Sequence, residues 1–153
     1  LFLSQPFNDK REFFIFLDEV FSFLQKIPNE KKVIRPHPNE PKTNLNIYRS
    51  MIKKFKLTNV SISKDEDIIF PLSKAKVIIS CNSTSIIEGK LIGKPAIIVD
   101  VFKKGYADFF DGVTSVSNSK QLFQAFKSLH FKDTPKLSIG VYNRLAKVIS
   151  KLA

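Results

Sequence analysis

One of the two histidines of the chain, His37, stands between two prolines in the segment VIRPHPNE, residues 33–40. Each proline fixes its own φ angle and pushes the residue before it toward extended geometry, so Arg35 and His37 are held extended. The apolar run before them is typical of a buried strand. Rigid placement of an imidazole at the carboxyl end of a strand suits a binding site. A solvated histidine at a proline-rich strand exit is the alternative that this segment leaves open.

A second segment that could do chemistry is SCNSTSIIEGKLIGKP, residues 80–95, in which a hydroxyl-rich turn leads from an apolar run into a helix. The first turn of a helix exposes unpaired N–H groups and a partial positive charge, so such a turn binds phosphate readily. Ser85 and Glu88 also have the spacing of a capping box, which needs no ligand. Because a cap satisfies only one or two donors, the rest of the turn is left for a ligand. Cys81 beside it is expected to be buried rather than reactive.

Short apolar runs alternate with amphipathic stretches along the chain, and these elements must position the two segments. The predicted strands are residues 1–4, 31–36, 59–63, 76–80, 95–100 and 114–117. The predicted helices are residues 9–26, 44–56, 65–75, 85–92, 119–129 and 142–152. This alternation predicts right-handed βαβ units and an α/β fold: a Rossmann-like, doubly wound parallel sheet of about six strands with helices on both faces.

The expected strand order, 3-2-1-4-5-6, also predicts where a site lies. In this order the winding reverses between the first and fourth strands, and a crevice opens at their carboxyl ends. The loops at this position are SQPFND, residues 4–9, and SCNSTS, residues 80–85, with the HPNE loop of the second strand beside them. The histidine and the serine-rich turn are therefore expected at one crevice.

The length of 153 residues and an apolar content of 43% predict one domain, residues 1–153, with a core that folds unaided. The chain begins at Leu1 within an apolar run, so we expect it to be a piece of a longer protein. No apolar run approaches the length of a membrane span and no signal peptide is visible, so we expect a soluble domain. A single cysteine excludes an internal disulfide and fits a reducing compartment.

The formal net charge of +11 predicts an anionic partner: nucleic acid, a lipid surface or a phosphorylated ligand. Only four of the 25 basic residues are arginines, whereas base reading in nucleic acids relies on the planar arginine fork. The lysines are also scattered through the helices rather than clustered in one segment. We therefore expect no nucleic acid partner, while a peripheral contact with an anionic membrane stays open.

The residues from the serine-rich turn onward resemble a known enzyme family. Glu88, Gly93 and Pro95 ahead of an apolar strand are similar to the C-terminal, donor-binding half of GT-B glycosyltransferases, and residues 61–80 resemble the segment that precedes it there. The RPHP element and the turn are similar to the His-Pro and serine motifs of bacterial surface-polysaccharide transferases. These include sialyl- and polysialyltransferases, Kdo transferases of capsule assembly, and glycerophosphotransferases of teichoic acid synthesis. The resemblance spans about residues 1–129.

The resemblance implies a role for each matching residue. His37 would be the catalytic residue, a hydrogen-bond donor to the phosphate of the donor substrate that stabilises the departing nucleotide. Ser83, Thr84 and Ser85 would bind the same phosphate at the helix N-terminus. Glu88 would accept hydrogen bonds from the ribose hydroxyls.

Further contacts implied by the resemblance surround this centre. The backbone of Ile62 and Ser63 would line the nucleobase, and Ser4 and Gln5 would face the cleft between the two halves of the enzyme. The SQPFND loop that carries Ser4 and Gln5 lacks the glycines that several GT-B families place there. The remaining residues of the expected substrate-binding set are Arg35 and Asn82.

Transfer from a nucleotide sugar builds negative charge on the leaving phosphate, and preorganised donors stabilise that charge as it develops. No metal is required for this chemistry, the sequence offers no cluster of metal ligands, and we expect no cofactor. Asp65, Glu66 and Asp67 resemble an acidic metal motif, but they open a predicted helix, where acidic residues complement the helix dipole.

The sequence thus favours the donor-binding domain of a GT-B glycosyltransferase of capsule or lipopolysaccharide synthesis. Its ligand is expected to be a nucleotide-activated sugar, with a CMP-sugar favoured over a UDP- or CDP-linked donor. The acceptor domain would precede Leu1, so we expect this chain to bind nucleotide without transferring sugar to its saccharide or lipid-linked acceptor. The expected location is cytoplasmic, or peripheral at the inner face of the plasma membrane.

Two other functions stay open. A nucleotide-sugar 2-epimerase shares the GT-B fold and a similar serine turn and glutamate. Such enzymes usually have paired glycines in the turn and a second glutamate, where this chain has NSTS and then Gly89 after Glu88. A non-catalytic basic α/β module would bind nucleic acid or a protein partner, although the scattered lysines and the lack of an aromatic-basic face disfavour it.

Overall fold

The computed structural model describes residues 1–63, 67–110 and 112–129. The strands are β1 (Phe2–Leu3), β2 (Lys32–Arg35), β3 (Val60–Ile62), β4 (Ile78–Ser80), β5 (Ala96–Val99) and β6 (Thr114–Val116). They form one sheet in the order β3-β2-β1-β4-β5-β6, in which every neighbouring pair is parallel. The predicted fold class and strand order are confirmed.

The helices are α1 (Lys10–Gln25), α2 (Asn44–Lys54), α3 (Ile69–Lys74), α4 (Ser85–Leu91) and α5 (Ser119–Ser128), with a 3-10 turn at Tyr106–Phe109. The predicted helix over residues 142–152 lies outside the described residues. Helix α3 begins later than residue 65, because the Asp67 side chain accepts the Ile69 N–H at 2.9 Å and forms a turn ahead of the helix. Asp65 and Glu66 lie outside the described residues.

Helix α1 begins where the sequence predicts, because the Asp9 carboxylate accepts the N–H groups of Arg11 and Glu12 at 2.6 and 3.2 Å. Its apolar stripe packs on one face of the sheet. There Phe2 of β1 contacts the rings of Phe16 and Phe21 at centroid distances of 5.9 and 6.5 Å. This aromatic packing holds β1, the strand at the centre of the predicted site, beneath α1.

The two faces of the sheet carry separate cores. Helices α1, α2 and α5 cover one face, and the cluster they bury includes Ile34, Tyr48 and Leu122. Helices α3 and α4 cover the other face, where Leu72 and Ile86 pack on the strands. The helices change from one face of the sheet to the other where the winding reverses, between β1 and β4. This reversal leaves a crevice at the carboxyl ends of these two strands. Among the described helices, none is long and apolar enough to span a bilayer.

Candidate functional site

A polar cavity of about 390 Å³ opens at the carboxyl ends of β1, β2 and β4. Its lining comes from three strand ends and from the residue before α3: Leu3, Ser4, Gln5, Arg35, Pro36, His37, Pro38, Ile68, Asn82, Ser83, Thr84 and Ser85. The cavity therefore brings His37 and the serine-rich turn together, at the place that the strand order predicts. None of the described residues that line the cavity is acidic.

Three of the sequence-predicted site residues lie outside this cavity. Ile62 and Ser63, at the end of β3, line a larger groove of about 860 Å³ together with Phe70 and Pro71 of α3. Glu88 lies within α4 and is half-buried. Its Oε2 atom is buried and has no hydrogen-bond partner among the described residues. The cavity thus unites the residues expected to bind phosphate but not the groups expected at the nucleobase and the ribose.

The turn after β2 fixes both the backbone and the ring of His37. The His37 N–H donates to Oε1 of Glu40 at 2.9 Å, and the Glu40 N–H donates back to the His37 carbonyl at 3.0 Å. The Asn39 N–H donates to Nδ1 of the His37 ring at 3.1 Å. Because Nδ1 is an acceptor, the neutral imidazole carries its proton on Nε2. The half-buried His37 therefore brings a hydrogen-bond donor to the cavity.

A buried hydrogen-bond network joins this turn to Ser4. Oε2 of Glu40 accepts the Tyr48 hydroxyl at 2.5 Å and the Asn44 side-chain amide at 3.1 Å, and the Tyr48 hydroxyl also contacts Ser4 Oγ at 2.5 Å. Tyr48 is 0% exposed, Ser4 1% and Glu40 9%. Burial, together with the Glu40 carboxylate, raises the pKa of Tyr48 above its usual value, so Tyr48 keeps its proton. The network links β1, the His37 turn and α2.

Arg35 gives the cavity a fixed positive charge, because a guanidinium stays protonated in proteins. The side chain is buried at the end of β2, and its Nη1 donates to the Asp67 carbonyl at 3.3 Å. This bond ties the segment before α3 to β2. The charge therefore lies on a side chain that the fold holds in place.

The serine-rich turn starts α4 in a different way from the predicted one. Ser83 Oγ accepts the Ser85 N–H at 3.3 Å, and the Ser83 carbonyl accepts the Ile86 N–H at 3.0 Å. Thr84 occupies the cap position without a side-chain capping bond. The capping box predicted for Ser85 and Glu88 is wrong, because Ser85 is already the first helical residue. The exposed side chain of Thr84 is consequently free of a capping role.

Cys81 lies between β4 and this turn and is buried, as the sequence predicts. Its Sγ donates to Oδ1 of Asn82 at 3.2 Å. Burial raises the pKa of the Cys81 thiol to about 12, which keeps the thiolate, the reactive form, scarce at neutral pH. Cys81 therefore supports the turn from beneath as a buried neutral thiol.

Sequence reasoning missed Glu40, Tyr48 and Asn39, which hold His37 and Ser4. Two signals in the sequence point to Glu40 and Tyr48. Glu40 follows His37 at the three-residue spacing of a turn, and Tyr48 continues the helical stripe that Met51 marks on α2. Within the described residues, no group of three or more His, Cys, Asp or Glu side chains is placed to hold a metal ion.

The chain was compared with known proteins. No protein-family model matches it, and no curated protein matches it. Among solved structures, it is similar to UDP-GlcNAc 2-epimerase from Neisseria meningitidis bound to UDP-GlcNAc, with a TM-score of 0.59 and 16% sequence identity. The match covers 98% of this chain and 42% of the epimerase chain. This likeness shows a GT-B-like Rossmann fold with a parallel sheet.

Proposed function

We propose that this chain is the donor-binding domain of a GT-B glycosyltransferase and binds a nucleotide-activated sugar in the cavity at the ends of β1, β2 and β4. One observation carries the proposal. The His37 ring with its Nε2 donor, the positively charged side chain of Arg35 and the hydroxyls of Ser83, Thr84 and Ser85 line a single cavity, and none of its described lining residues is acidic. Phosphate oxygens accept hydrogen bonds from such groups, and charge-assisted bonds of this kind are strong.

The proposed chemistry is stabilisation of a leaving phosphate. When the sugar departs, negative charge develops on the nucleotide phosphate, and donors that are already oriented stabilise it without reorganising. His37 meets this condition, because the bonds from Asn39 and to Glu40 fix its ring and backbone. We assign it donation of a hydrogen bond to the phosphate. The turn hydroxyls would hold the same phosphate from the β4 side.

The remaining parts of the ligand would extend beyond the cavity. Oε2 of Glu88 is buried and has no hydrogen-bond partner among the described residues, and a ribose hydroxyl would supply one. The groove that Ile62 and Ser63 line presents the ring of Phe70, which is 58% exposed, as a surface for a nucleobase. Both assignments follow the resemblance found in the sequence.

The acceptor and the catalytic base would be supplied by the N-terminal half of a two-domain enzyme, so we expect nucleotide binding but no sugar transfer by this chain alone. The likeness of the RPHP and serine segments to surface-polysaccharide transferases supports a role in capsule or lipopolysaccharide synthesis, with a CMP-sugar favoured. The net charge of +11 supports peripheral contact with an anionic membrane at its cytoplasmic face.

Calorimetric titration of the protein with CMP, CDP and UDP tests the proposal. We expect at least one of the three to bind, and the order of their affinities identifies the nucleotide. Cytidine and uridine serve as controls, because they lack the phosphate that the cavity would hold. Absence of binding by all three nucleotides at millimolar concentration would contradict the proposal.

A nucleotide-sugar 2-epimerase is the second candidate, because one structural neighbour is a UDP-GlcNAc 2-epimerase with UDP-GlcNAc bound. The two candidates differ in what happens to a bound sugar. Incubation with UDP-GlcNAc, followed by proton NMR of the sugar, separates them. Appearance of the C2 epimer would favour the epimerase, and a higher affinity for CMP than for UDP would favour the donor-binding domain.

A further inference from the structure

In the hydrogen-bond network beneath the cavity, the donor of each bond is fixed. An ionised carboxylate only accepts hydrogen bonds, so the His37 N–H, the Asn44 amide and the Tyr48 hydroxyl all donate to Glu40. A tyrosine hydroxyl has one proton, and Tyr48 gives it to Glu40. The bond between Tyr48 and Ser4 must therefore use the Ser4 proton, with the Tyr48 oxygen as its acceptor.

Ser4, which lines the cavity and is 1% exposed, therefore has only oxygen lone pairs left for a ligand. Its hydroxyl proton is committed to Tyr48, and its backbone N–H donates to the Arg35 carbonyl at 2.9 Å within the sheet. A phosphate oxygen without a proton cannot form a hydrogen bond with such a group. A ligand hydroxyl can, because it carries a proton to donate.

We propose that Ser4 is a specificity-determining acceptor for a hydroxyl of the donor sugar, and that Glu40 and Tyr48 are positioning residues that set its direction. This inference rests on the proposed function. The phosphate then lies toward His37 and the serine-rich turn, and the sugar lies toward the end of β1. One carboxylate, that of Glu40, orients both the phosphate donor and the sugar acceptor.

Glu40→Gln reverses the donor and acceptor roles of Tyr48 and Ser4 with little change in the shape of the side chain. The new side chain keeps an oxygen for the His37 N–H but turns an amide donor toward Tyr48, and the half-buried Asn44 amide can rotate so that its oxygen accepts. Tyr48 then donates to Ser4, and the Ser4 proton points into the cavity. We expect the affinity for UDP-GlcNAc to fall by up to about tenfold, because the sugar hydroxyl must turn its own proton away from Ser4 and accept instead, while the affinity for UDP is unchanged or higher. The same comparison is made with CMP-sialic acid and CMP.

Two controls separate positioning from a general structural role. Ser4→Ala should give the same selective loss, and Glu40→Gln should add nothing in that background, because Glu40 acts through Ser4. Thermal unfolding checks that each variant folds. If Glu40→Gln does not fold, Tyr48→Phe removes the acceptor of the Ser4 proton and frees that proton for the cavity, so the affinity for UDP should rise relative to that for UDP-GlcNAc. Equal losses for nucleotide and nucleotide sugar, additive losses, or no loss would overturn the inference.

Failure of the proposed function has a different signature. If none of these nucleotides or nucleotide sugars binds the unaltered protein, the proposed function fails. Binding of inorganic phosphate and sulfate at pH about 8 then tests whether Ser4 accepts or donates a hydrogen bond in the cavity. Hydrogen phosphate carries an O–H group and sulfate does not, so NMR titration should show a preference for phosphate that Glu40→Gln reduces. No phosphate preference in the unaltered protein, or an equal preference in both proteins, would overturn the inference.

Discussion

The two walls of the cavity differ in how their polar groups are satisfied. On the β2 wall, His37 and Glu40 each donate a backbone N–H to the other, and Tyr48 and Ser4 complete the buried network. On the β4 wall, the exposed Thr84 makes no capping bond. Further along α4, outside the cavity, Oε2 of Glu88 has no partner among the described residues. One wall is complete before a ligand arrives, and the other keeps polar groups unused.

This difference predicts how each wall responds to mutation. A satisfied buried network contributes to folding, because removal of one member leaves its partners unpaired in the interior. Groups that make no bonds in the free protein contribute nothing to folding and can contribute to ligand binding. Changes on the β2 wall should therefore lower stability and affinity together, whereas changes on the β4 wall should lower affinity alone.

The largest expected effect is loss of stability in Glu40→Ala. It leaves the Tyr48 hydroxyl and the His37 N–H without their acceptor, so we expect the free energy of unfolding to fall by about 3 kcal/mol. Thr84→Ala on the other wall is the matched control, with an expected change within about 0.5 kcal/mol. Urea unfolding measures both. Similar losses in the two variants would remove the distinction between the walls.

The next effect is on binding by His37→Ala. Loss of a hydrogen bond to a charged phosphate should weaken CMP or UDP about 10- to 100-fold, whereas cytidine or uridine should bind as before. Calorimetry measures the affinities for CMP, UDP, cytidine and uridine. Equal weakening of nucleotide and nucleoside would mean that His37 acts on the shape of the cavity and not on the phosphate.

A smaller effect concerns the buried support of the β4 wall. Burial raises the pKa of Cys81 from 9.0 to about 12, so the native state favours the neutral thiol. This contribution to stability is complete below pH 9 and is lost as the pH rises toward 12. At pH 10 the loss should reach about 1.4 kcal/mol. Urea unfolding between pH 8 and pH 10 should therefore show a steeper decline for the unaltered protein than for Cys81→Ala, and parallel declines would indicate a hydrated thiol.

The smallest effect is on binding by Thr84→Ala. The exposed hydroxyl makes no capping bond in the free protein, so its loss should weaken CMP or UDP about fivefold without a change in stability. Calorimetry measures the affinity, and the urea titration of the same variant supplies the control. A variant with unchanged affinity would assign the phosphate contacts of this wall to its other hydroxyls.

The fold was accessible to sequence reasoning because its signals are local. Apolar runs alternate with helical stripes, and right-handed crossovers leave few ways to order six parallel strands. The position of the cavity followed from that order. The direct contact between His37 and Glu40 was also within reach, since the two residues lie three apart in one turn.

Other parts of the site depend on contacts between distant residues. Ser4 and Tyr48 are 44 positions apart and meet only because α2 packs over β1 and β2. The spacing of Ser85 and Glu88 fits a capping box, yet the helix starts one residue earlier than that motif requires, and Ser83 takes the supporting role. A local sequence pattern indicates which hydrogen bonds are available but not which of the competing hydrogen bonds forms.

The most direct test is NMR titration of the isotope-labelled protein with CMP and with UDP, followed at the His37 ring nitrogens and the amides of Ser83 to Ser85. If one phosphate occupies the cavity between the two walls, the Nε2 resonance of His37 and the turn amides shift together with a single dissociation constant. Shifts confined to the groove of Ser63 and Phe70, with an unchanged His37 resonance, would contradict a phosphate held between the imidazole and the hydroxyls.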